Sequence, residues 1–458
     1  MAQPNLLILM ADQFRHDCVG YRGIRPVQTP NIDAFAAESC VYTRAFTPLP
    51  VCAPVRQSLI NGLHPDAFGA MWNYDFFATN TLVPGGTWPE QLAARGYLGG
   101  YIGKWHCSPV YTPFDFGYTD VIDLNSYKKW QKENYPDAQF TGGWLGCTSP
   151  IPVEDSLTHR MADRAIELMN GYVESGKPWH MWFDLGIPHL PCQPSEPFAS
   201  MYDPASIPPW DGFGDAFEFK PYCQKQQMLN WRQEEMTWAD YQPMVARYYA
   251  MISQLDDAIG KILRALEKSG QLDNTIVVFM SDHGDMCGSH QMLDKHYVLF
   301  EDNTRVPLAM RVPGREHYQT DSFVASCLDV TATLFELLGL DKPAKLHGRP
   351  LPMCAAEDKE PRKYITSSSN GQQFGLYCNR MIRGDRYKYV WNLTDIDELY
   401  DLETDPGEKR NLIAEEKFAE LIEKMRKALH AELLAHGDPL VGKTWVDAQL
   451  LEGRKHLR

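Results

Sequence analysis

No stretch of this 458-residue chain is apolar for long enough to cross a bilayer, so no membrane span is expected. Positive charge is also scarce. Lys and Arg total 44 against 59 Asp and Glu, a net charge of −15, and a nucleic-acid or anionic-membrane partner would call for a basic face. Cys-x-x-Cys pairs are absent, and the eleven cysteines are odd in number and irregularly spaced. That pattern argues against a disulfide framework and for a reducing compartment. The start, Met1-Ala2-Gln3-Pro4-Asn5, has no basic segment followed by a long apolar one, so no leader and a cytoplasmic location are expected, unless a leader has been trimmed away. Internal repeats and low-complexity tracts are missing too. What is present, 44% hydrophobic and 22% charged residues, suits a globular protein of two domains, or one large domain with an appendage.

The most informative stretch runs from Val51 to Gly62 and holds Cys52, Pro54 and Arg56 in a Cys-x-Pro-x-Arg core. A proline two residues after the cysteine suits a first helical turn, whose amide hydrogens lack partners anyway, so Cys52 is placed at a helix N-terminus that attracts anions. Arg56, one turn on, is expected to point back toward the same spot. For a lone cysteine the plainer reading is a buried structural residue, and the rest of the chain has to overturn it.

Four apolar strands are expected at Asn5 to Met10, Tyr97 to Ile102, Trp179 to Leu185 and Thr275 to Met280. Polar residues follow each directly: Asp12-Gln13, Lys104-Trp105-His106, Pro188-His189 and Asp282-His283-Gly284. In open α/β sheets the ligand crevice lies at the carboxyl ends of the strands. A single Asp, Lys or His after a strand is usually a turn residue or solvated surface; repetition at four strand ends carries the weight. Helices are expected at Asn31 to Glu38, Trp88 to Arg95, Ser156 to Tyr172, Tyr248 to Gly270, Asp329 to Leu338 and Ala414 to Ala435. Residues 109–152 and 193–244 read as irregular insertions rich in aromatics and proline. Short antiparallel strands are expected between Tyr364 and Leu402, and the last twenty residues, after Gly437, as a tail or an oligomer contact.

The segment around Cys52 resembles the signature of the type I sulfatases, in which this cysteine is oxidised to formylglycine. Val55 and Asn61 depart from the residues common there, serine and threonine, while Cys52, Pro54 and Arg56 keep the core. Gly103-Lys104-Trp105-His106, the Pro188-His189 loop, Ser281-Asp282-His283-Gly284, Lys295 and Arg305-Val306-Pro307 resemble further family motifs in the family's order, as do His347 to Leu351 and Glu398 to Leu402. The resemblance implies an alkaline phosphatase-like α/β domain with a mainly parallel central sheet, placed at residues 1–345. A smaller C-terminal α+β domain with an antiparallel sheet and a closing helix is placed at residues 346–458.

Carried over residue by residue, the resemblance implies that Asp12, Gln13, Asp282 and His283 hold one divalent cation, completed by an oxygen of the modified Cys52. Calcium is expected from the family, with manganese tolerated by a histidine ligand. Arg56, Lys104 and Lys295 would supply positive charge where sulfate oxygens gain negative charge. The hydrated aldehyde would attack, leave a sulfo-enzyme and then expel sulfate, with His106 as the base and His189, assisted by Lys295, as the acid for the leaving oxygen. The implied partners are a small anionic sulfated substrate, expected to be a carbohydrate, and a sulfatase-maturating enzyme. Alternatives are an aryl or steroid sulfatase, a phosphonate monoester or phosphodiester hydrolase, and a binding protein whose cysteine is never oxidised.

Overall fold

Alternation along the first strand sets the architecture. In the computed structural model, which describes residues 3–74, 81–295, 297–352, 354, 360–372 and 375–453, β1 (Asn5–Asp12) is buried along its whole length. Leu7, Leu9 and Ala11 enter one apolar core, Leu6, Ile8 and Met10 another. Successive side chains of a strand point to opposite faces, so such a strand must be covered on both.

The other strands of this sheet are β2 (Cys40–Phe46), β3 (Leu98–Gly103), β4 (Asp120–Asp123), β5 (Trp179–Pro188), β6 (Thr275–Ser281), β7 (Arg305–Val306), β8 (Leu308–Arg311) and β9 (Tyr318–Ala325). Their order is β4-β3-β5-β1-β6-β8-β2-β7, with β9 also paired to β2. From β4 to β6 every pairing is parallel, while β8 runs antiparallel to β6 and β2. Helices Leu157–Ser175 and Trp238–Lys268 cover one face. Helices Cys52–Asn61, Trp88–Ala94 and Ser326–Leu337 cover the other. Among the described residues no helix is long and apolar enough to cross a membrane.

Four further strands, β10 (Ile365–Gln372), β11 (Gly375–Arg383), β12 (Tyr387–Asn392) and β13 (Glu398–Asp401), form an antiparallel sheet in sequence order. One face packs Ile382, Tyr389, Trp391 and Leu399 against Ile422, Met425, Leu429 and Leu433 of the helix Ala419–His436. From the other face Met381 and Val390 join the second core of the large sheet. The smaller sheet is therefore cemented to the larger one by shared apolar burial.

The expected strands and helices are present, with three differences. The helix expected from Tyr248 begins at Trp238 and passes through Pro243. A Thr237–Asp240 capping box starts it, and Tyr241, Met244 and Val245 extend its buried stripe, so burial outweighs the amide hydrogen that proline lacks. The first insertion contains β4 and a helix, Leu124–Asn134, capped by Asp123, and the second contains the helix Tyr222–Asn230. Beyond Gly437 the chain forms the helix Thr444–Glu452, whose Leu450 is buried in the small sheet's core; residues 454–458 lie outside those described.

Candidate active site

The parallel register brings four strand ends to one edge. Ala11 lies opposite Ser281, Gly103 opposite Asp184, and Asp12 opposite Pro188. Gly103 has φ 110°, and a Cβ there would overlap the carbonyl oxygen of Asp184, so only glycine lets β3 deliver Lys104 this close to β5. Opposite this edge stands the helix Cys52–Asn61, which starts at Cys52 and is closed by Gly62 at φ 73°. Asn73 Oδ1 accepts the Ala53 N–H at 2.9 Å and fixes the helix start.

Arg56 is fully buried, and it borders Asp12 and Asp282, the carboxylates that lie beside Cys52. Its guanidinium turns into the carboxylates at the strand ends. Nη2 donates to Asp12 Oδ2 at 2.8 Å and Asp282 Oδ2 at 3.1 Å, and Nη1 to Asp184 and to the Lys104 carbonyl oxygen. Lys104 Nζ meets Asp12 Oδ2 at 2.5 Å. Burial and the neighbouring Cys52 sulfur push the Asp12 carboxyl up, but Lys104 and Arg56 hold it well below the usual carboxylate range. Burial pushes Asp184 up to about 6 against the pull of Arg56.

Cys52 Sγ lies 3.2 Å from His283 Nε2 and 3.8 Å from Asp12 Oδ1. Burial would raise its thiol, yet Lys104, Lys295, His283 and a hydrogen bond from His106 bring it well below the ordinary value. His106 has φ 43° and its ring stands edge-on to Tyr74 at 4.9 Å. His283 Nδ1 donates to the Gly284 carbonyl at 2.8 Å, which leaves Nε2 facing the cluster. Burial lowers this histidine, but Asp282 and the Cys52 sulfur outweigh it and push it up to about 9. The surroundings thus favour positive charge at this point.

A second chain of contacts fixes Lys295. Its Nζ reaches Gln13 Oε1 at 2.9 Å, His189 Nε2 at 2.6 Å and Asp294 Oδ1 at 2.9 Å. Burial opposes its charge, but Asp294, Cys52 and Asp12 raise its pKa above the normal lysine value. Gln13 also donates from Nε2 to Asp285 Oδ2 at 2.8 Å and from its backbone N–H to Asp282 Oδ1 at 3.0 Å. His189 Nδ1 donates to the Leu190 carbonyl at 2.7 Å, which turns Nε2 toward Lys295.

Cys52, Arg56, Lys104, His106, His189, Lys295, Asp12, Gln13, Asp282 and His283 therefore meet in one connected, mostly buried group. Sequence reasoning missed Asp184, Asp285, Asp294 and Asn73. Asp184 did leave a signal, a lone acid inside an otherwise apolar strand, which needs a buried partner. Asn73 left none.

Ligand atoms of Asp12, Cys52, Asp282 and His283 lie within 4.8 Å of one another, all buried. Two carboxylates and an imidazole Nε2 turned toward them, its proton displaced on binding, fit a divalent cation. Gln13 borders this group with its amide oxygen on Lys295.

Fixed cations gathered around a helix N-terminus stabilise negative oxygens best where charge builds during reaction. Fold and charge pattern together define an alkaline phosphatase-like hydrolase of anionic esters. Residues 4–340 match the sequence profile of the sulfatase family, and residues 288–434 match that of the C-terminal part of N-sulphoglucosamine sulphohydrolase. The chain belongs to the sulfatase family and is a sulfuric ester hydrolase. It is 28% identical to an arylsulfatase of Clostridium perfringens over 94% of each chain. To a delta 4,5-hexuronate-2-O-sulfatase of Bacteroides thetaiotaomicron it is 25% identical, over 93% of this chain and 88% of that one. In fold it resembles the phosphonate monoester hydrolase of Agrobacterium radiobacter, with a TM-score of 0.81, 24% identity, and 94% and 96% of the two chains covered.

Arg56 pairs with three buried carboxylates, and removing one partner of such a group leaves charge uncompensated. Arg56→Ala should therefore cost about 3–5 kcal/mol of stability in denaturant unfolding. Arg56→Lys should recover only part of that, because an ammonium cannot fork between the three. A loss below about 1 kcal/mol would show that the cluster does not depend on Arg56.

Proposed function

We propose that the enzyme hydrolyses the sulfate ester of a small sulfated carbohydrate, using formylglycine made from Cys52 by a maturating enzyme together with one divalent cation, calcium. The observation that carries this reading is the position of Cys52: the first residue of its helix, buried, with His283 Nε2 at 3.2 Å and Lys104, Lys295 and His106 acting on its sulfur. A purely structural cysteine has no need of such surroundings. The hexuronate sulfatase relative supports a carbohydrate substrate.

The cation would be held by Asp12, Gln13, Asp282 and His283, and when bound it polarises the ester and lowers the pKa of the attacking hydroxyl. Formylglycine, once hydrated, offers one hydroxyl for attack and a second whose deprotonation releases sulfate. Arg56 helps to keep Asp12 ionised and holds both Asp12 and Asp282 in place. Lys104 and Lys295 face the developing charge on the sulfate oxygens. His106 takes the proton in the release step. His189 Nε2, which accepts from Lys295 Nζ at 2.6 Å, takes the lysine's proton and passes it to the leaving oxygen, and Lys295, left as the neutral amine, is reprotonated by water. All these groups lie in the proposed catalytic unit, residues 1–345; residues 346–458 would form the second unit.

The direct test is the mass of the Cys52 peptide from active enzyme. Conversion of the thiol to the aldehyde lightens it by about 18 Da. The reading predicts this species, and loss of turnover with retained fold in Cys52→Ala. Full activity on a sulfate ester from protein carrying only unmodified cysteine contradicts it.

The leaving group tests His189. A sugar alkoxide needs a proton as the bond breaks, whereas nitrophenolate departs without one. His189→Ala should slow sugar sulfate hydrolysis roughly 10²–10⁴-fold, the usual contribution of such catalysis, and nitrophenyl sulfate hydrolysis much less. Equal losses on both substrates would assign His189 to gripping the sulfate and move the acid to Lys295.

A further inference from the structure

The first insertion packs on the segment that follows His189, the second on the backbone of Lys295, and the two meet at Trp144 and Trp231. In the first, Gly142-Gly143-Trp144-Leu145-Gly146 forms a tight turn, with φ 79° at Gly142, 55° at Gly143 and 76° at Gly146. A Cβ at Gly146 would overlap the carbonyl oxygen of Cys192, so this glycine lets the turn lie directly on the segment that follows His189. Ser149 N–H donates to the Pro194 carbonyl at 2.8 Å, which ties the same two stretches together. Arg247 adds a third anchor, donating from Nη2 to the Leu145 carbonyl at 3.0 Å. Leu145 packs inward against the first core, while Trp144 is 58% exposed.

In the second insertion, Gln227 on the helix Tyr222–Asn230 donates from Nε2 to the Lys295 carbonyl at 2.6 Å. One turn later the same segment reaches Trp231, whose ring meets Trp144 edge to face at 5.9 Å. The loop bearing Trp144 is thus fixed to the chain just after His189, and the segment bearing Trp231 is fixed to Lys295. His189 and Lys295 are the groups proposed above to serve the leaving oxygen, so what they flank is the leaving alcohol.

We infer that Trp144, backed by Trp231, is a platform for the ring of the leaving alcohol, and that the site selects ring-bearing sulfate esters over acyclic ones. The inference rests on the proposed roles of His189 and Lys295. An exposed indole held on a glycine turn anchored at three points binds a ring face with little ordering cost. Sugar and aryl rings both present such a face, which accords with the hexuronate sulfatase and the arylsulfatase among the relatives.

The test measures binding to the full chain in a Cys52→Ala background, which cannot turn over. Galactose sulfate, ethyl sulfate and the methylphosphonate monoester of galactose are titrated by calorimetry, with and without Trp144→Ala or Trp144→Tyr. Trp144→Ala should cut the preference for galactose sulfate over ethyl sulfate about 3- to 10-fold, the size of one stacking contact, and Trp144→Tyr should restore most of it. An unchanged preference overturns the platform, as does a tyrosine variant that behaves like the alanine one, which points to loop collapse. Binding of the phosphonate ester alone, still dependent on Trp144, would uphold the platform and overturn the sulfatase reading of the substrate.

Discussion

Three carboxylates, Asp12, Asp184 and Asp282, meet one guanidinium in a place without solvent. Burying such charges is expensive, and attraction offsets the loss of hydration only when every lone pair is met. Arg56 reaches all three carboxylates from the first turns of the helix that begins with Cys52, so a single side chain ties this helix to the ends of β1, β5 and β6, and the backbone N–H groups of Gln13, His283 and Gly186 meet further carboxylate oxygens. The same contact sets the charge of the site. Arg56 is engaged by carboxylates inside the fold, and Lys104, Lys295 and His283 act on the Cys52 sulfur.

Around this core the side chains proposed to be catalytic are gripped by one another and by buried acids. Gln13 is held between Asp285 and Lys295, Lys295 between Asp294 and His189, and His189 by its own neighbour's carbonyl. Such support keeps reacting groups within the small tolerance that proton transfer and charge stabilisation demand. The insertions extend the same logic outward: a glycine turn places Trp144, and the helix Tyr222–Asn230, held to Lys295 by Gln227, places Trp231.

The sheet and the residues at its carboxyl edge were legible in the sequence because each strand is an apolar run that stops at polar residues, and that punctuation survives any detail of packing. The start of the helix at Cys52 was legible from Pro54. The partners of Arg56 were not, since helical spacing says which face a residue occupies but not which of several acids its long side chain will reach. Asp184 was hidden inside the strand Trp179–Pro188, where its role depends on Arg56, 128 positions away in the chain. The insertions read as irregular because their short helices are held by tertiary contacts, and Pro243 masked a helix whose stability comes from burial.

The central claim is that the carboxylates gathered by Arg56 hold a divalent cation beside Cys52. Calcium titration of metal-stripped enzyme by calorimetry, with metal analysis of the same samples, tests it most directly. The account predicts one tightly bound ion per chain in the wild-type protein, and loss of that binding in a folded Asp282→Asn variant. No binding of calcium or manganese by stripped wild-type enzyme that still hydrolyses sulfate esters at its full rate would contradict it.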